Sequence, residues 1–228
     1  MKKFYLIAFA LFRLTVFAAD DSLKPATNPQ ALLQDLQQKM ASVSSVYLEL
    51  TQERHLKLFS EPLKSEGVML IESPDRIRWE TTAPYQAILL GDKKSVAQFE
   101  FSDGKWEKLK MGFPQLLQRV MQQMSLMNQG KLEALTNDYA ISVATGDSTV
   151  MTLTPKGKSV REMLASLEVK MASDFSATRE VTMNEPNGDF TRIRFHDEKR
   201  NVKFPAGTFD QTKPLAIAAV QAVVKNAP

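Results

Sequence analysis

The 228-residue sequence lacks cysteine and contains only two histidines, His55 and His196. The absence of cysteine excludes disulfides, a thiol nucleophile, cysteine zinc sites and lipid attachment through a thiol. The sequence also has no Gly-x-Ser-x-Gly turn, no His-Glu-x-x-His pair and no phosphate-binding glycine loop. We therefore expect no catalytic residues, no bound metal and no cofactor, and we expect that the protein is not an enzyme.

The sequence also lacks excess charge once its first 18 residues are set aside. The whole chain has a formal charge of +3 and 26 acidic residues. Lys2 and Lys3 precede nine apolar residues at 4–12, and small side chains lead up to Ala18. This pattern predicts a secretory signal peptide, residues 1–18, and a periplasmic location. Three of the 29 basic residues belong to it, so the remaining chain is neutral, which argues against a nucleic-acid partner.

The remaining chain divides into a short polar segment and one domain. Residues 19–28 contain Pro25 and predict a flexible lead-in. Asn28 is a suitable N-cap, Pro29 suits a first helical turn, and apolar residues recur at helical spacing to residue 42. We therefore predict an amphipathic helix at the start of a single domain spanning residues 29–228.

Most of this domain shows the alternation of apolar and polar residues that is typical of β-strands. Ile77 and Trp79 lie on one face of a predicted strand, and charged residues occupy the other. Short strands separated by polar turns favour an antiparallel meander. A methionine-rich helical insertion at about residues 113–136 interrupts it, and a last apolar segment follows Pro214.

The predicted fold is α+β and mainly antiparallel β. A single sheet of many strands tends to curl, and its concave face then needs a cover, which the helices supply. A curled sheet under helices can enclose an apolar ligand cavity, but a solid core has the same sequence pattern. Periodicity alone therefore leaves both alternatives open.

Several short motifs, in this order, resemble those of a known family. They are Leu50-Thr51-Gln52, Gly67–Ile71 followed by Pro74 and Arg78-Trp79, Leu153-Thr154-Pro155-Lys156, and Asn187–Thr191. Their order and spacing are similar to those of the periplasmic outer-membrane lipoprotein carriers, the LolA-like family. The resemblance implies a curled half-barrel sheet covered by a helical lid around an apolar cavity.

The resemblance also implies a function and partners. A carrier of this family shelters the acyl chains of a lipoprotein or other lipid, with an inner-membrane transporter as donor and an outer-membrane receptor as acceptor. We expect a monomer. The alternative is a periplasmic lipid-sensing or regulatory binding module of the same fold. The receptor of this fold would need a lipidated cysteine, which the sequence lacks.

Strand alternation predicts which side chains line the cavity. If Trp79 faces inward, the same face includes apolar residues of the neighbouring strands, and the insertion contributes from the lid. The predicted lipid-binding residues are Leu48, Leu50, Met69, Ile71, Ile77, Trp79, Phe99, Phe101, Val120, Met121 and Met124. The family's lining has an arginine immediately before the strand-breaking proline, where it is thought to hold the lid. This sequence has Ser73 there, so the gating of the lid departs from the family.

Overall fold

The computed structural model describes residues 23–110, 122–123, 125–126 and 129–225. The predicted signal peptide and most of the methionine-rich insertion lie outside these residues. Three of the predicted lipid-binding residues, Val120, Met121 and Met124, therefore lie outside the described part of the chain.

Twelve strands form one sheet, and every neighbouring pair within it is antiparallel. In chain order they are β1 (Lys24–Pro25), β2 (Ser45–His55), β3 (Leu63–Glu72), β4 (Arg76–Ala83), β5 (Ala87–Gly91), β6 (Val96–Ser102), β7 (Lys105–Leu109), β8 (Tyr139–Thr145), β9 (Ser148–Pro155), β10 (Ser166–Ala172), β11 (Thr178–Asn184) and β12 (Phe190–Arg200). The order in the sheet is β1-β8-β9-β10-β11-β12-β2-β3-β4-β5-β6-β7, so β1 and β7 are its edges and it does not close into a barrel.

Four helices lie wholly within the described part of the chain, α1 (Pro29–Ala41), α2 (Leu132–Leu135), α3 (Lys158–Arg161) and α4 (Ile217–Lys225). The side chain of Asn28 accepts a hydrogen bond from the Ala31 amide, so α1 begins where the capping pattern predicts. In the insertion, residues 122–123 and 125–126 are also helical. The fold is therefore mainly antiparallel β with few helices, which confirms the predicted α+β class.

Part of the predicted flexible lead-in is hydrogen-bonded to the sheet. Lys24 pairs with Thr145 and Pro25 with Ala144 in the register of β1 and β8. The Ala26 amide also donates to the Val143 carbonyl at 2.9 Å. The chain thus pairs with the sheet edge before α1 begins.

The concave face of the sheet carries two apolar clusters. One packs α1 and α2 against β8, β9 and β10, with Leu36 and Leu135 among its buried members. The other joins β2, β3, β4 and β12 through residues such as Leu48, Met69 and Ile193. The strands of the two clusters lie at different positions along one sheet, and the space between them forms the cavity described below.

The convex face is covered as well, by the chain that follows β12. Val202, Val220 and Val224 pack on Tyr47 and Leu70, and other apolar residues of the same segment contact this cluster. Because the sheet is covered on both faces here, Arg78 and Glu80 on the charged face of β4 are buried, whereas Arg76 at its start is exposed.

Two of the predicted lipid-binding residues, Phe99 and Phe101, were placed on the wrong face. Trp79 pairs with Leu89, which pairs with Gln98, so Gln98 shares the concave face. Phe99 instead packs with Ile88 and Leu90 on the convex face. Phe101 is 41% exposed and contacts the ring of Trp106. The prediction followed aromatic character, whereas strand register decides the face.

Candidate functional site

An apolar cavity of about 360 Å³ lies between the concave face of the sheet, α1 and the helical insertion. Its size falls within the range of small-ligand sites, about 300–1,000 Å³. Among the described residues, side chains from α1, α2, α3 and eight of the strands line it, from β8 to β4 across the sheet. The solid-core alternative left open by the sequence is therefore not what the structure has.

The lining is unusually rich in methionine. The sequence has 11 methionines, and six of those in the described part of the chain line the cavity, namely Met40, Met69, Met151, Met163, Met171 and Met183. Methionine has no branch and three rotatable side-chain bonds, so it adapts to irregular apolar shapes. A wall of this composition suits flexible hydrocarbon chains better than a rigid ligand.

The cavity extends along the strand direction. Leu167 and Met171 on β10 both line it, and so do Thr178 and Met183 on β11. At about 3.3 Å per residue, the two stretches span roughly 13 Å and 17 Å. The cavity is thus elongated, and one end lies beside the α3 connection, where Val160, Met163 and Leu164 contribute to its lining.

Four of the predicted residues line this cavity, namely Leu48, Met69, Ile71 and Trp79. Leu50 and Ile77 belong to the same apolar cluster but are packed outside the lining. The remaining predicted residues lie on the other face or outside the described residues, as given above. A role in lipid binding stays a prediction for all of them.

Several lining residues were missed by the sequence analysis, including Met151, Val169, Met171 and Met183. The signal for them was present, because residues 167, 169 and 171 alternate in the same way as residues 69 and 71. The prediction assigned the inward face from Trp79 only to the strands near it in the sequence. The far wall depends on curling, which brings β9 and β10 opposite β3 and β4.

Glu198 is the one charged side chain among the described lining residues. Its Oε1 accepts a hydrogen bond from Arg200 Nε at 2.6 Å, and its Oε2 accepts one from the Thr178 amide at 3.2 Å. Both carboxylate oxygens are thus paired, as a carboxylate beside an apolar space requires. Other polar residues of the wall include Thr178, Gln123 and Tyr139, and the Tyr139 hydroxyl donates to Gln123 Oε1 at 2.7 Å.

The insertion is hydrogen-bonded to the sheet at the turn between β3 and β4. The carbonyl of Pro74 accepts from Ser125 Oγ at 2.6 Å and also from the side-chain amide of Gln129, which in turn donates to Ser125 Oγ at 2.9 Å. We call Ser125, Gln129 and the Pro74 carbonyl the latch. Ser125 is buried, whereas Gln129 is half-buried and Pro74 is exposed, so the latch is only partly shielded from water.

Neither metal ligands nor membrane-spanning helices mark a second site in the described residues. Their histidine, aspartate and glutamate side chains form no group of three suited to a metal ion. None of the helices in this part of the chain has the length and apolar character needed to cross a bilayer.

Comparison with known protein families identifies the family of this chain. Residues 41–212 match the family described as outer membrane lipoprotein carrier protein LolA. The chain belongs to the LolA family. This confirms the resemblance inferred from the sequence motifs.

Individual relatives in the LolA family are distant. An outer-membrane lipoprotein carrier protein of Chromohalobacter salexigens is 28% identical over 64% of this chain and 66% of its own length. Another, from Legionella pneumophila (strain Paris), is 24% identical over 97% of this chain and its whole length. A solved LolA superfamily protein of Nitrosomonas europaea aligns with a TM-score of 0.44 and 11% identity, over 80% of this chain and 97% of that one.

Ser73 occupies the position at which the resemblance to the LolA-like family implies an arginine, and it does not line the cavity. Its hydroxyl donates to the Val43 carbonyl at 3.4 Å, and its amide donates to the Ser44 carbonyl at 2.8 Å. Arg76 and Arg78 face the convex side, opposite Trp79, because they pair with Glu72 and Leu70. At this turn, the described residues of the insertion contact the sheet through the latch at Pro74, the residue after Ser73.

Proposed function

We propose that this protein is a periplasmic carrier that shelters the acyl chains of a lipoprotein, or of another lipid, in the cavity during transfer from the inner to the outer membrane. The observation that supports this most is the elongated, methionine-rich apolar cavity in a member of the LolA family. Burial of each CH₂ group of an acyl chain contributes about 0.8 kcal/mol, so a lipid does not cross water without such shelter.

The cellular setting is part of the same proposal. Residues 1–18 direct export and are removed after Ala18, and the carrier takes cargo from an inner-membrane transporter and delivers it to an outer-membrane receptor. Distant relatives named outer-membrane lipoprotein carrier protein support this assignment. N-terminal sequencing of the protein recovered from the periplasm tests the cleavage site.

Binding is tested best through Trp79, which lines the cavity. The protein has two tryptophans, so a Trp106→Phe background leaves Trp79 as the single reporter. Titration with a dipalmitoylated lipopeptide should shift its emission to saturation. Val169→Phe, whose ring extends into the cavity, should weaken binding by about tenfold or more.

Two further variants make this result decisive. Val223→Phe adds the same ring at an exposed position of α4 and should leave binding unchanged. Met183→Phe, on the partly buried part of the wall, serves if Val169→Phe folds poorly. If the lipopeptide gives no saturable change in Trp79 emission, the carrier proposal is wrong.

Native mass spectrometry of the protein from its own periplasm identifies the cargo. A bound lipoprotein or lipid that passes to acceptor vesicles or receptor supports a carrier. A lipid that stays bound, together with capture of a membrane signalling protein, would instead support the lipid-sensing module that the sequence analysis kept as its alternative.

A further inference from the structure

An irregularity in β12 turns the side chain of Glu198 into the cavity. Ile193 and Phe195 both line the cavity, so regular alternation along the strand would turn residue 198 to the convex face. In the register of β12 and β2, however, Asp197 and Glu198 together stand opposite the single residue Leu48. This β-bulge shifts the alternation by one residue, and Glu198 therefore lines the cavity as Leu48 does.

The bulge holds a backbone conformation that most residues avoid. The φ angle of Asp197 is +47°, in the left-handed region where aspartate is found more often than most residues other than glycine. Bulges of this kind are frequent next to ligand sites, where they redirect a side chain. The strand thus loses its regular pairing at the point where Glu198 turns to the cavity.

A carboxylate is a costly group in the wall of an apolar cavity. The side chains of Glu198 and its partner Arg200 are 13% and 24% exposed. Replacement of such an ion pair with apolar residues often leaves the stability of a protein unchanged or raises it. Stability is thus a weak reason for a glutamate at this place, and contact with a ligand is a stronger one.

The carboxylate of Glu198 has room for further hydrogen bonds. An ionised carboxylate has about four acceptor sites. Arg200 Nε and the Thr178 amide each donate to one of its two oxygens. The remaining acceptor sites belong to a negatively charged group that lines the cavity, and such a group favours a ligand that donates a hydrogen bond.

Glu198 lies towards one end of the elongated cavity. Thr178, which donates to it, is the first residue of β11, and the lining residue Met183 is roughly 17 Å further along that strand. The wall between them includes the apolar side chains of Val181 and Ile193. A ligand with its polar group at Glu198 therefore has an apolar wall along which its hydrocarbon chain can lie.

We propose that Glu198 determines the specificity of the cavity, by accepting a hydrogen bond from an N–H or O–H group next to the hydrocarbon chain of the cargo. Arg200 and the Thr178 amide hold the carboxylate in position, and the chain extends along β11. This inference rests on the carrier function proposed above. It adds that the cargo carries a hydrogen-bond donor at the head of its chain.

Matched ligands test the need for a donor, with Trp79 emission in the Trp106→Phe background as the measure of binding. N-methyldodecanamide has an N–H group, and N,N-dimethyldodecanamide has a methyl group in place of that hydrogen. The first should bind about tenfold more tightly, although the extra methyl group by itself favours the second. Dodecanol and its methyl ether make the same comparison for an O–H group, and the larger preference identifies the donor.

Variants test whether Glu198 causes the preference. Glu198→Gln should reduce it severalfold, because a neutral acceptor makes a weaker hydrogen bond. Glu198→Leu with Arg200→Leu leaves no unpaired charge and should abolish the preference while N,N-dimethyldodecanamide still binds. A merely structural role would instead weaken both amides equally. Glu180→Gln is the matched control, since this carboxylate pairs with Arg194 outside the cavity, and it should keep the preference.

The outcomes separate this inference from the carrier function. If lipopeptide shifts Trp79 emission but neither ligand pair shows a preference, or the preference survives in the double variant, the role of Glu198 is wrong and the carrier proposal stands. If lipopeptide gives no shift but a donor ligand binds in a manner that depends on Glu198, the carrier proposal is wrong and the site stands. If no ligand shifts the emission, both are wrong.

Discussion

Arg78 and Glu80 form a buried ion pair under the C-terminal segment. Arg78 is 0% exposed, and its Nε donates to Glu80 Oε2 at 2.9 Å while its Nη1 donates to the Thr208 carbonyl at 2.9 Å. Strand alternation correctly predicts that both face away from Trp79. It does not predict their burial, because burial depends on a segment more than 100 residues later in the chain.

Removing one partner of this pair should be costly. We expect Arg78→Met to lower the free energy of unfolding by about 3–5 kcal/mol, since Glu80 then remains buried without its partner. Chemical denaturation measures this. Arg54→Met, which breaks an exposed ion pair with Glu185, should change stability by about 0.5 kcal/mol or less. A similar small effect for Arg78→Met would contradict the role given to the buried pair.

The same pair should give the variant a distinctive dependence on pH. Burial raises the pKa of the Glu80 carboxyl, and the charge and hydrogen bonds of Arg78 oppose that effect. Without Arg78 the folded protein holds the Glu80 proton more tightly than the unfolded chain does. The variant should therefore lose stability as the pH rises above the ordinary glutamate pKa of 4.5. Its deficit should be larger at about pH 7 than at about pH 4.

At the scale of elements, the insertion is attached to the β3–β4 turn by the latch, and α1 is held through its apolar face. The sequence predicts α1 well, because its cap and periodicity are local. It does not predict the latch, because Ser125 and Pro74 are 51 residues apart. A serine and a glutamine in a helical segment carry no sequence signal for a distant carbonyl.

Loss of the latch should make the cavity easier to enter. We expect Ser125→Ala with Gln129→Ala to speed lipopeptide entry by about thirtyfold, since the two hydrogen bonds to the Pro74 carbonyl, about 1 kcal/mol each, are removed. Stopped-flow Trp79 emission in the Trp106→Phe background measures the rate. Ser42→Ala removes a local hydrogen bond at the end of α1 and should leave the rate unchanged. An unchanged entry rate in the double variant would show that the latch does not control access to the cavity.

At the scale of the whole molecule, one sheet holds two different environments. Its concave face borders the apolar cavity, and its convex face is packed against the C-terminal segment. A hydrogen bond joins α4 to the convex face of the sheet, since Gln221 Nε2 donates to the Tyr47 hydroxyl of β2 at 3.2 Å. The closely packed convex face thus supports the sheet whose concave face borders the cavity.

Cargo should therefore stabilise the folded protein. Lipopeptide at a hundredfold excess over its Kd should raise the free energy of unfolding by about 2.7 kcal/mol. For a chain of this length, that corresponds to a rise of about 5–10 °C in the midpoint of thermal unfolding. The shift should be much smaller in Val169→Phe at the same lipopeptide concentration. An equal shift in both proteins would place the lipid outside the cavity.

The sequence by itself determined the local structure and the family. Alternation and turn residues such as Gly188, whose φ is +84°, specify an antiparallel meander, and the motif order indicates the LolA family. Only the tertiary structure decided that Phe99 faces the convex side, that Arg78 is buried, and that the concave face is hollow. Each of these depends on how far the sheet curls and on which distant segment covers each face. The periodicity along one strand contains information about neither.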